Sequence, residues 1–229
     1  MKISVGIPVY DGKLPFQSVL CLLTETSIAQ ALGHCLVVRL LPSCSNLAMG
    51  RNQIVKEFLA SDEDRLVFLD ADVTFEPGSL VKLAHYPVDF VGGAYRLKLD
   101  EEKYPMGWLP GSELWSDKNG LIEVAMIPSG FLSLSREVFK TFKEKYPGRE
   151  YSIAGHKNDC YFQIPYRDGA LYTEDAYFCR EWREAGGKIY LDPDLTLTHW
   201  DFNRPYMGNI GNWLKKRAEI APIAQKEAS

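Results

Sequence analysis

The sequence lacks any long run of apolar residues. No segment approaches the about 20 consecutive apolar residues that a transmembrane helix needs. The first residues also lack a basic stretch followed by an apolar run, which is how a secretory signal begins. We therefore expect a protein with no transmembrane segment.

Cysteine is scarce and shows no paired spacing. The five cysteines are odd in number and lie far apart, at Cys21, Cys35, Cys44, Cys160 and Cys179. Zinc sites and disulfide frameworks are recognised by closely spaced or even-numbered cysteines, so neither is expected. Free thiols are typical of a reducing compartment, and we predict a cytoplasmic location.

The sequence also has no excess of positive charge. Its 26 Lys and Arg residues stand against 30 Asp and Glu residues, which gives a formal net charge of -4. Dedicated nucleic-acid binders usually carry a basic surface, so this balance argues weakly against that class. An anionic small molecule would more readily be held through a bound metal ion.

The sequence does contain a regular alternation of strand and helix patterns over its first 93 residues. Short apolar runs predict strands, and apolar residues three and four apart predict helices between them. The strand runs cover residues 3–8, 35–41, 66–69 and 88–91, and the helical patterns cover residues 15–32, 48–59 and 77–83. This alternation predicts a doubly wound α/β sheet of the nucleotide-binding type.

Two carboxylates follow the third strand. Asp70 and Asp72 stand one residue apart, directly after the apolar run at residues 66–69. If the chain stays extended through Ala71, both side chains point to one side. Two negative charges held that close would be stabilised by a bound cation such as a divalent metal ion. The alternative is a turn in which the aspartates cap the next helix.

The second half of the sequence is less regular. Residues 98–120 predict a long loop or small hairpin, residues 131–134 form a short apolar run, and residues 146–171 predict an irregular aromatic region. Residues 136–145 and 174–185 predict helices. We divide the chain into a single domain at residues 1–199, with a nucleotide-binding half at 1–93 and an acceptor half at 94–199. Residues 200–229 form a C-terminal tail that is either a lid over the site or a static arm.

Several short motifs together resemble a GT-A glycosyltransferase of the family-two-like, inverting kind, which carries an Asp-x-Asp motif. Each motif is weak alone, whereas their order and spacing over nearly the whole chain are specific. The motifs are Pro8-Val9-Tyr10, Arg51-Asn52, Asp70-Ala71-Asp72, Gly130 with Arg136, Glu174-Asp175 with Cys179, Trp182 and Gly187, and the late His199. The resemblance implies a Rossmann-like, mostly parallel sheet with helices on both faces and a C-terminal acceptor-side subregion.

The resemblance also implies a metal site. Asp72 would ligate manganese (Mn2+) or magnesium (Mg2+) directly, and Asp70 would contact the ribose or the metal shell. His199 would be a further metal ligand, although a lone histidine is more often structural. A cation held there would stabilise the negative charge that develops on the departing diphosphate.

The Glu174-Asp175 pair has two interpretations. In the resembling enzymes, the aspartate of such a pair deprotonates the acceptor hydroxyl, so Asp175 would be the general base and Glu174 would touch the acceptor. The plainer interpretation is that both residues favour the positive end of a helix, with Thr173 as its N-cap.

The remaining implied residues concern the donor. Pro8 and Tyr10 would lie at the nucleobase, Arg51 would reach the base or the diphosphate, and Gly130 would let the backbone approach the sugar. The end of the second strand lacks the aspartate that commonly contacts the nucleobase in the resembling enzymes. The sequence therefore does not distinguish UDP-linked from GDP-linked donors. Ser43 or Asn46 could replace that aspartate.

Taken together, the resemblance predicts a metal-dependent enzyme that moves a sugar from a nucleotide-diphosphate donor to a hydroxyl acceptor with inversion. The acceptor is a glycan, a lipid-linked sugar, a protein or a modified nucleic-acid base. The alternatives are a retaining glycosyltransferase, a sugar nucleotidyltransferase on the same fold, or a carbohydrate-binding domain without catalysis. A nucleotidyltransferase usually has a glycine-rich basic loop after its first strand, and residues 8–12 do not resemble one.

Overall fold

The computed structural model describes residues 1–110, 116–153 and 155–227, with side chains described up to residue 218. The helices are α1 (Phe16–Ala31), α2 (Leu47–Leu59), α3 (Ser79–His85), α4 (Arg136–Lys145), α5 (Glu174–Glu184) and α6 (Ile210–Glu227). The strands of the main sheet are β1 (Lys2–Val9), β2 (Cys35–Pro42), β3 (Arg65–Leu69), β5 (Phe90–Gly92), β6 (Ile122–Val124), β7 (Phe131–Ser135) and β12 (Ile189–Leu191). The other strands are β4 (Val73–Phe75), β8 (Glu150–Ile153), β9 (His156–Asp159), β10 (Tyr166–Arg167), β11 (Ala170–Leu171), β13 (Thr196–Asp201) and β14 (Arg204–Asn209).

The main sheet has seven strands in the order β2-β1-β3-β7-β5-β12-β6. Strands β1, β2, β3, β5 and β12 run in one direction, whereas β6 and β7 run in the other, so five of the seven are parallel. The predicted mostly parallel α/β sheet is therefore confirmed. Its carboxyl edge, where such sheets bind ligands, carries the residues that follow β1, β2, β3 and β5.

Two apolar cores lie on opposite faces of this sheet, and β3 belongs to both. Its five residues are all buried, with Leu66 and Phe68 in one core and Val67 and Leu69 in the other. Helices α2, α4 and α5 cover the first face, and α1 and α3 cover the second. Helices on both faces explain why β3 is a continuous apolar run.

Helix α2 packs close to the sheet because glycine stands opposite it. A Cβ atom added to Gly6 of β1 would lie 2.3 Å from Cγ2 of Ile54. Asn46 is the N-cap residue of this helix, and its side chain accepts a hydrogen bond from the backbone N–H of Met49 at 3.1 Å. These contacts fix the position from which Arg51 reaches the carboxyl edge.

A buried acid on α1 caps the start of α3. The carboxyl oxygens of Glu25, which is fully buried, accept hydrogen bonds from the backbone N–H groups of Gly78 at 2.6 Å and Val81 at 2.8 Å. The first N–H groups of a helix have no partner inside the helix, so this side chain from α1 supplies one.

We expect Glu25→Ala to lower the free energy of unfolding by about 2 to 4 kcal/mol, because it leaves two buried N–H groups without an acceptor. Urea unfolding of the two proteins measures the difference. The exposed Glu76, on the same segment as Gly78, is the control, and Glu76→Ala should change stability by less than about 0.5 kcal/mol. Equal stabilities for the two variants would contradict the capping role.

The second half contains pairs of strands that the sequence patterns do not predict. Residues 146–171, predicted as irregular, contain the antiparallel pairs β8–β9 and β10–β11. Strand β7, predicted only as a short apolar run, lies antiparallel between β3 and β5 in the middle of the main sheet. The local apolar pattern of such a run contains no information about its neighbours or its direction.

The predicted division at 199/200 falls inside a strand. Strand β13 continues to Asp201 and pairs with β14 on one side and with β4 on the other, forming a three-stranded antiparallel sheet. Helix α6 follows β14 directly. None of the helices in the described part of the chain is long and apolar enough to span a membrane.

Candidate active site

The Asp70-Ala71-Asp72 segment forms a turn at the carboxyl end of β3. The backbone N–H of Val73 donates to the carbonyl of Asp70 at 3.0 Å, and the N–H of Trp200 donates to the carbonyl of Asp72 at 2.8 Å. The expectation of an extended chain through Ala71 is therefore wrong, because the turn links β3 to β4. The aspartates do not cap a helix either, since β4 and not a helix comes next.

Asp70 faces two buried donors. Its Oδ1 accepts a hydrogen bond from Nη2 of Arg51 at 2.9 Å, and its Oδ2 accepts one from the hydroxyl of Tyr95 at 3.2 Å. Both carboxylate oxygens of Asp70 are thus occupied by side chains from α2 and from the segment after β5.

Arg51 joins the two halves of the chain. While Nη2 contacts Asp70, Nη1 donates to Oε1 of Glu174 at 2.5 Å. The Arg51 side chain is only 2% exposed, so this ion pair is protected from water. Burial opposes the charged guanidinium, but the two carboxylates outweigh burial and raise the pKa of Arg51. Arg51 therefore contacts the two predicted acidic motifs rather than standing free at the cleft.

Glu174 and Asp175 begin helix α5 and have different surroundings. Burial, together with the charge of Asp175, raises the pKa of Glu174 against the opposing effect of Arg51. Oδ1 of Asp175 accepts hydrogen bonds from the hydroxyl of Thr173 at 2.5 Å and from the N–H of Ala176 at 2.7 Å. Thr173 stands at the N-cap position, but its hydroxyl contacts Asp175 and not a helical N–H group.

Asp72 lies in a second, more open cluster. Its Oδ2 accepts a hydrogen bond from Nζ of Lys98 at 2.7 Å and lies 3.3 Å from Nε2 of His199. Burial alone would raise the pKa of Asp72, but His199 and Lys98 outweigh it and lower the pKa to about 2. Asp72 is therefore a carboxylate throughout the physiological pH range.

His199 presents Nε2 to Asp72 because its other nitrogen is held. Nδ1 lies 3.1 Å from the backbone carbonyl of Arg96, and a carbonyl can only accept, so Nδ1 carries the proton of this bond. Nε2 is thereby turned toward Oδ2 of Asp72, and a divalent cation held between this nitrogen and that oxygen would bind both. Strand pairing sets this position, since His199 of β13 lies opposite Val73 of β4.

Asp72 and His199 have the chemistry of a metal site, although they provide only two ligands. Carboxylate oxygen and imidazole nitrogen both suit Mn2+, and such ions usually take further ligands from water and substrate phosphates. The described residues contain no group of three or more His, Cys, Asp or Glu side chains placed to hold a metal ion. Asp70 does not complete such a group, since Arg51 and Tyr95 occupy its oxygens.

The predicted nucleotide side lies at the ends of β1 and β2. Pro8 is buried within β1, whereas Tyr10 follows the strand with its side chain 77% exposed. A cavity of about 550 Å³ lies between the start of α2 and the β8–β9 pair, and Ser43, Asn46 and His156 are among the residues that line it. The two proposed substitutes for the base-reading aspartate thus face one cavity.

Gly130 lies against the predicted acidic site. Its carbonyl accepts the backbone N–H of Asp70 at 3.0 Å, and a Cβ atom added to Gly130 would lie 2.4 Å from Oδ2 of Asp70. The same atom would lie 2.6 Å from the ring of Tyr95. The absence of a side chain at Gly130 therefore leaves room for the Asp70–Tyr95 contact.

The sequence analysis missed two residues of the site. Tyr95 and Lys98 follow β5, whose carboxyl end lies at the same edge as that of β3. Polar residues after each parallel strand are the signal that could have identified them. Two aromatic residues of the irregular segments, Trp108 and Tyr161, pack on the first core, and Trp115 lies outside the described residues.

Comparison with known proteins supports the fold. No protein family and no curated protein matches the sequence. Among solved structures, the chain is similar to A197 from STIV, with a TM-score of 0.54 and 20% identity over 88% of this chain and 86% of that chain. It is also similar to the catalytic domain of Drosophila beta1,4galactosyltransferase 7 in complex with xylobiose, with a TM-score of 0.51 and 15% identity over 91% of this chain and 70% of that chain.

A mutant of the same Drosophila enzyme, in complex with manganese, UDP-Gal and xylobiose, matches with a TM-score of 0.50 and 14% identity over the same shares of the two chains. Identities this low bear on the fold alone. The mostly parallel seven-stranded sheet, its helices on both faces and these likenesses show that the chain has the GT-A fold of glycosyltransferases.

Proposed function

We propose that the chain is a metal-dependent glycosyltransferase that moves a sugar from a UDP- or GDP-linked donor to a hydroxyl acceptor with inversion. One observation carries the proposal: two acidic motifs from different halves of the chain, Asp70-Ala71-Asp72 and Glu174-Asp175, meet at the carboxyl edge of the sheet. Arg51 contacts Asp70 of the first motif and Glu174 of the second. A cleft with carboxylates on both sides suits a reaction that needs both a cation and a base.

The donor end of the proposed site is the Asp72 cluster. Asp72 and His199 would hold Mn2+ or Mg2+, with Asp70 in the surrounding shell. When bound, such a cation neutralises the charge that develops on a departing diphosphate. The solved structure of the similar Drosophila enzyme contains manganese and UDP-Gal, which agrees with this assignment. Pro8, Tyr10, Ser43 and Asn46 are proposed to line the nucleobase end.

The acceptor end is the start of α5. Among the described residues, none forms a hydrogen bond to Oδ2 of Asp175, while Oδ1 is held by Thr173 and Ala176. A base needs one oriented and one available oxygen, and Asp175 has both. We assign the acceptor proton to Oδ2 of Asp175. The proton leaves the acceptor hydroxyl as the hydroxyl oxygen bonds to the anomeric carbon, and the bond from this carbon to the diphosphate breaks.

Glu174 has a different role from Asp175. Its Oε1 is held by Arg51 and its side chain is 12% exposed, so it is less accessible to an acceptor than a free carboxylate at the surface. We propose that Glu174 fixes the start of α5 through Arg51 and contacts the acceptor through Oε2. In this arrangement Glu174 orients the acceptor hydroxyl toward Asp175.

Donor hydrolysis with and without Mn2+ tests the proposal. We expect the wild type to cleave a UDP- or GDP-linked sugar slowly in the presence of Mn2+. Asp72→Asn should lower the rate and the nucleotide affinity together by about tenfold or more, because it removes an anionic ligand of the cation. Acceptors can then be screened by mass change with the donor that gives the largest thermal shift.

The matched control is Asp201→Asn, which changes an exposed aspartate at the end of the strand that carries His199. This variant should behave as the wild type does. Metal-independent hydrolysis that Asp72→Asn leaves unchanged would contradict the proposed metal site. Conversion of the donor and added pyrophosphate into a nucleoside triphosphate and a sugar 1-phosphate would identify a nucleotidyltransferase. Sugar binding without any cleavage would identify a carbohydrate-binding domain.

A further inference from the structure

Lys98 occupies the carboxylate that the proposed metal would need. Its Nζ lies 2.7 Å from Oδ2 of Asp72, and Nε2 of His199 lies 3.3 Å from the same oxygen. The Lys98 ammonium therefore contacts the same carboxylate oxygen that faces His199, which is the oxygen that the proposed cation would use. None of the predicted motifs contained a lysine that would contact Asp72.

We propose that Lys98 is an internal cation that competes with the divalent metal for Asp72, so that metal binds tightly only together with the nucleotide diphosphate. The inference rests on the proposed function and deepens it, since it concerns the same site. Lys98 thereby sets the order in which the metal and the donor enter.

Charge explains the competition. Asp72 carries one negative charge, and the Lys98 ammonium already balances it in the nucleotide-free chain. A divalent ion at Asp72 would face this ammonium at short range and would need it to leave. A diphosphate supplies the missing negative charge, because it can accept contacts from both the metal and the displaced ammonium.

The surroundings of Lys98 allow only its side chain to move. The backbone of this segment is held by hydrogen bonds from the N–H of Leu97 to the carbonyl of Lys103 at 2.8 Å and from His199 to the carbonyl of Arg96. The Lys98 side chain is 32% exposed and that of Asp72 is 38% exposed. Partly exposed ion pairs of this kind contribute little to stability, so we expect that Lys98 can be replaced without unfolding the chain.

The test is a titration of the full chain with Mn2+ in the absence of nucleotide. The concentration of free Mn2+ is measured at each point by electron paramagnetic resonance. We expect Lys98→Met to bind Mn2+ about tenfold more tightly than the wild type, because the competing charge is gone. Lys98→Arg keeps the charge and should bind as weakly as the wild type. With saturating UDP, the advantage of Lys98→Met should disappear, since the ammonium has then left Asp72.

Lys103→Met is the matched control, because Lys103 lies on the same segment but pairs with Glu101 at 2.7 Å. It removes the same charge from the protein without touching Asp72, and should leave Mn2+ affinity unchanged. Equal affinities for Lys98→Met and Lys103→Met would overturn the competition, as would weaker binding by Lys98→Met. If the competition is overturned in this way while the wild type cleaves the donor with Mn2+, only the role of Lys98 is refuted and the proposed function stands. If none of the chains binds Mn2+, the competition and the metal-dependent function fail together.

Discussion

Replacement of Asp175 by asparagine should lower the rate of sugar transfer by about a hundredfold to ten-thousandfold, because it removes the positioned base. The amide cannot take the acceptor proton, whereas its shape still allows the contacts with Thr173 and Ala176 that orient the side chain. Nucleotide affinity should change little, since the proposed donor contacts lie at Asp72 and beyond. Initial rates of transfer and a nucleotide titration measure the two effects separately.

The control for this variant is Asp168→Asn, which changes an exposed aspartate that pairs with Arg180 of α5, the helix at whose start Asp175 lies. It should transfer sugar at nearly the wild-type rate. Near-normal transfer by Asp175→Asn would refute the assignment of the base. A product with retained anomeric configuration would refute inversion, whatever the rates.

Replacement of Arg51 by methionine should lower the free energy of unfolding by about 3 to 5 kcal/mol. The loss comes from the two carboxylates that remain: Asp70 and Glu174 would keep their partly buried positions without the cation between them. Arg51→Lys should recover only part of the loss, since a single ammonium cannot donate from two separate nitrogens as the guanidinium does. Urea unfolding at neutral pH measures the series.

Arg180→Met provides the comparison for Arg51. Arg180 also contacts two carboxylates, those of Asp168 and Glu184, but it does so at the surface. Removal of this arginine, whose two partners are exposed to water, should lower the free energy of unfolding much less than Arg51→Met does. A similar small loss for Arg51→Met would show that the buried pair does not hold the two halves of the cleft together.

The α/β class was predictable because the evidence for it is local. Each parallel strand covered on both faces must be apolar along its length, and residues 66–69 show this pattern without any knowledge of the neighbours. Asn46 before α2 likewise marks a helix start by its own chemistry. Such signals recur in the first 93 residues, where strands and helices alternate.

The place of β7 was not predictable in the same way. Its apolar residues fit a buried strand, but its antiparallel insertion between β3 and β5 depends on contacts between segments 40 or more residues apart in sequence. The end of β13 likewise depends on another strand, because Trp200 and Asp201 pair with β14.

The candidate site shows a similar division. The sequence motifs identified Asp70, Asp72, Glu174 and His199 as candidate site residues. In the structure these side chains lie in two adjoining clusters. The partners of these acids were not predictable from spacing, because Arg51, Tyr95 and Lys98 come from other segments of the chain. Arg51 was expected to reach a donor, and the structure places its two terminal nitrogens on Asp70 and Glu174. The roles of all these residues in catalysis stay predictions.

The most direct test of the account is an anomalous diffraction map at the manganese edge from crystals grown with Mn2+ and a nucleoside diphosphate. We predict one strong peak in contact with the carboxylate of Asp72 and Nε2 of His199, with the diphosphate beside it and the Lys98 ammonium moved from Asp72 to the phosphates. A nucleotide bound at this edge with no manganese peak at Asp72, or with Lys98 still on Asp72, would contradict the account.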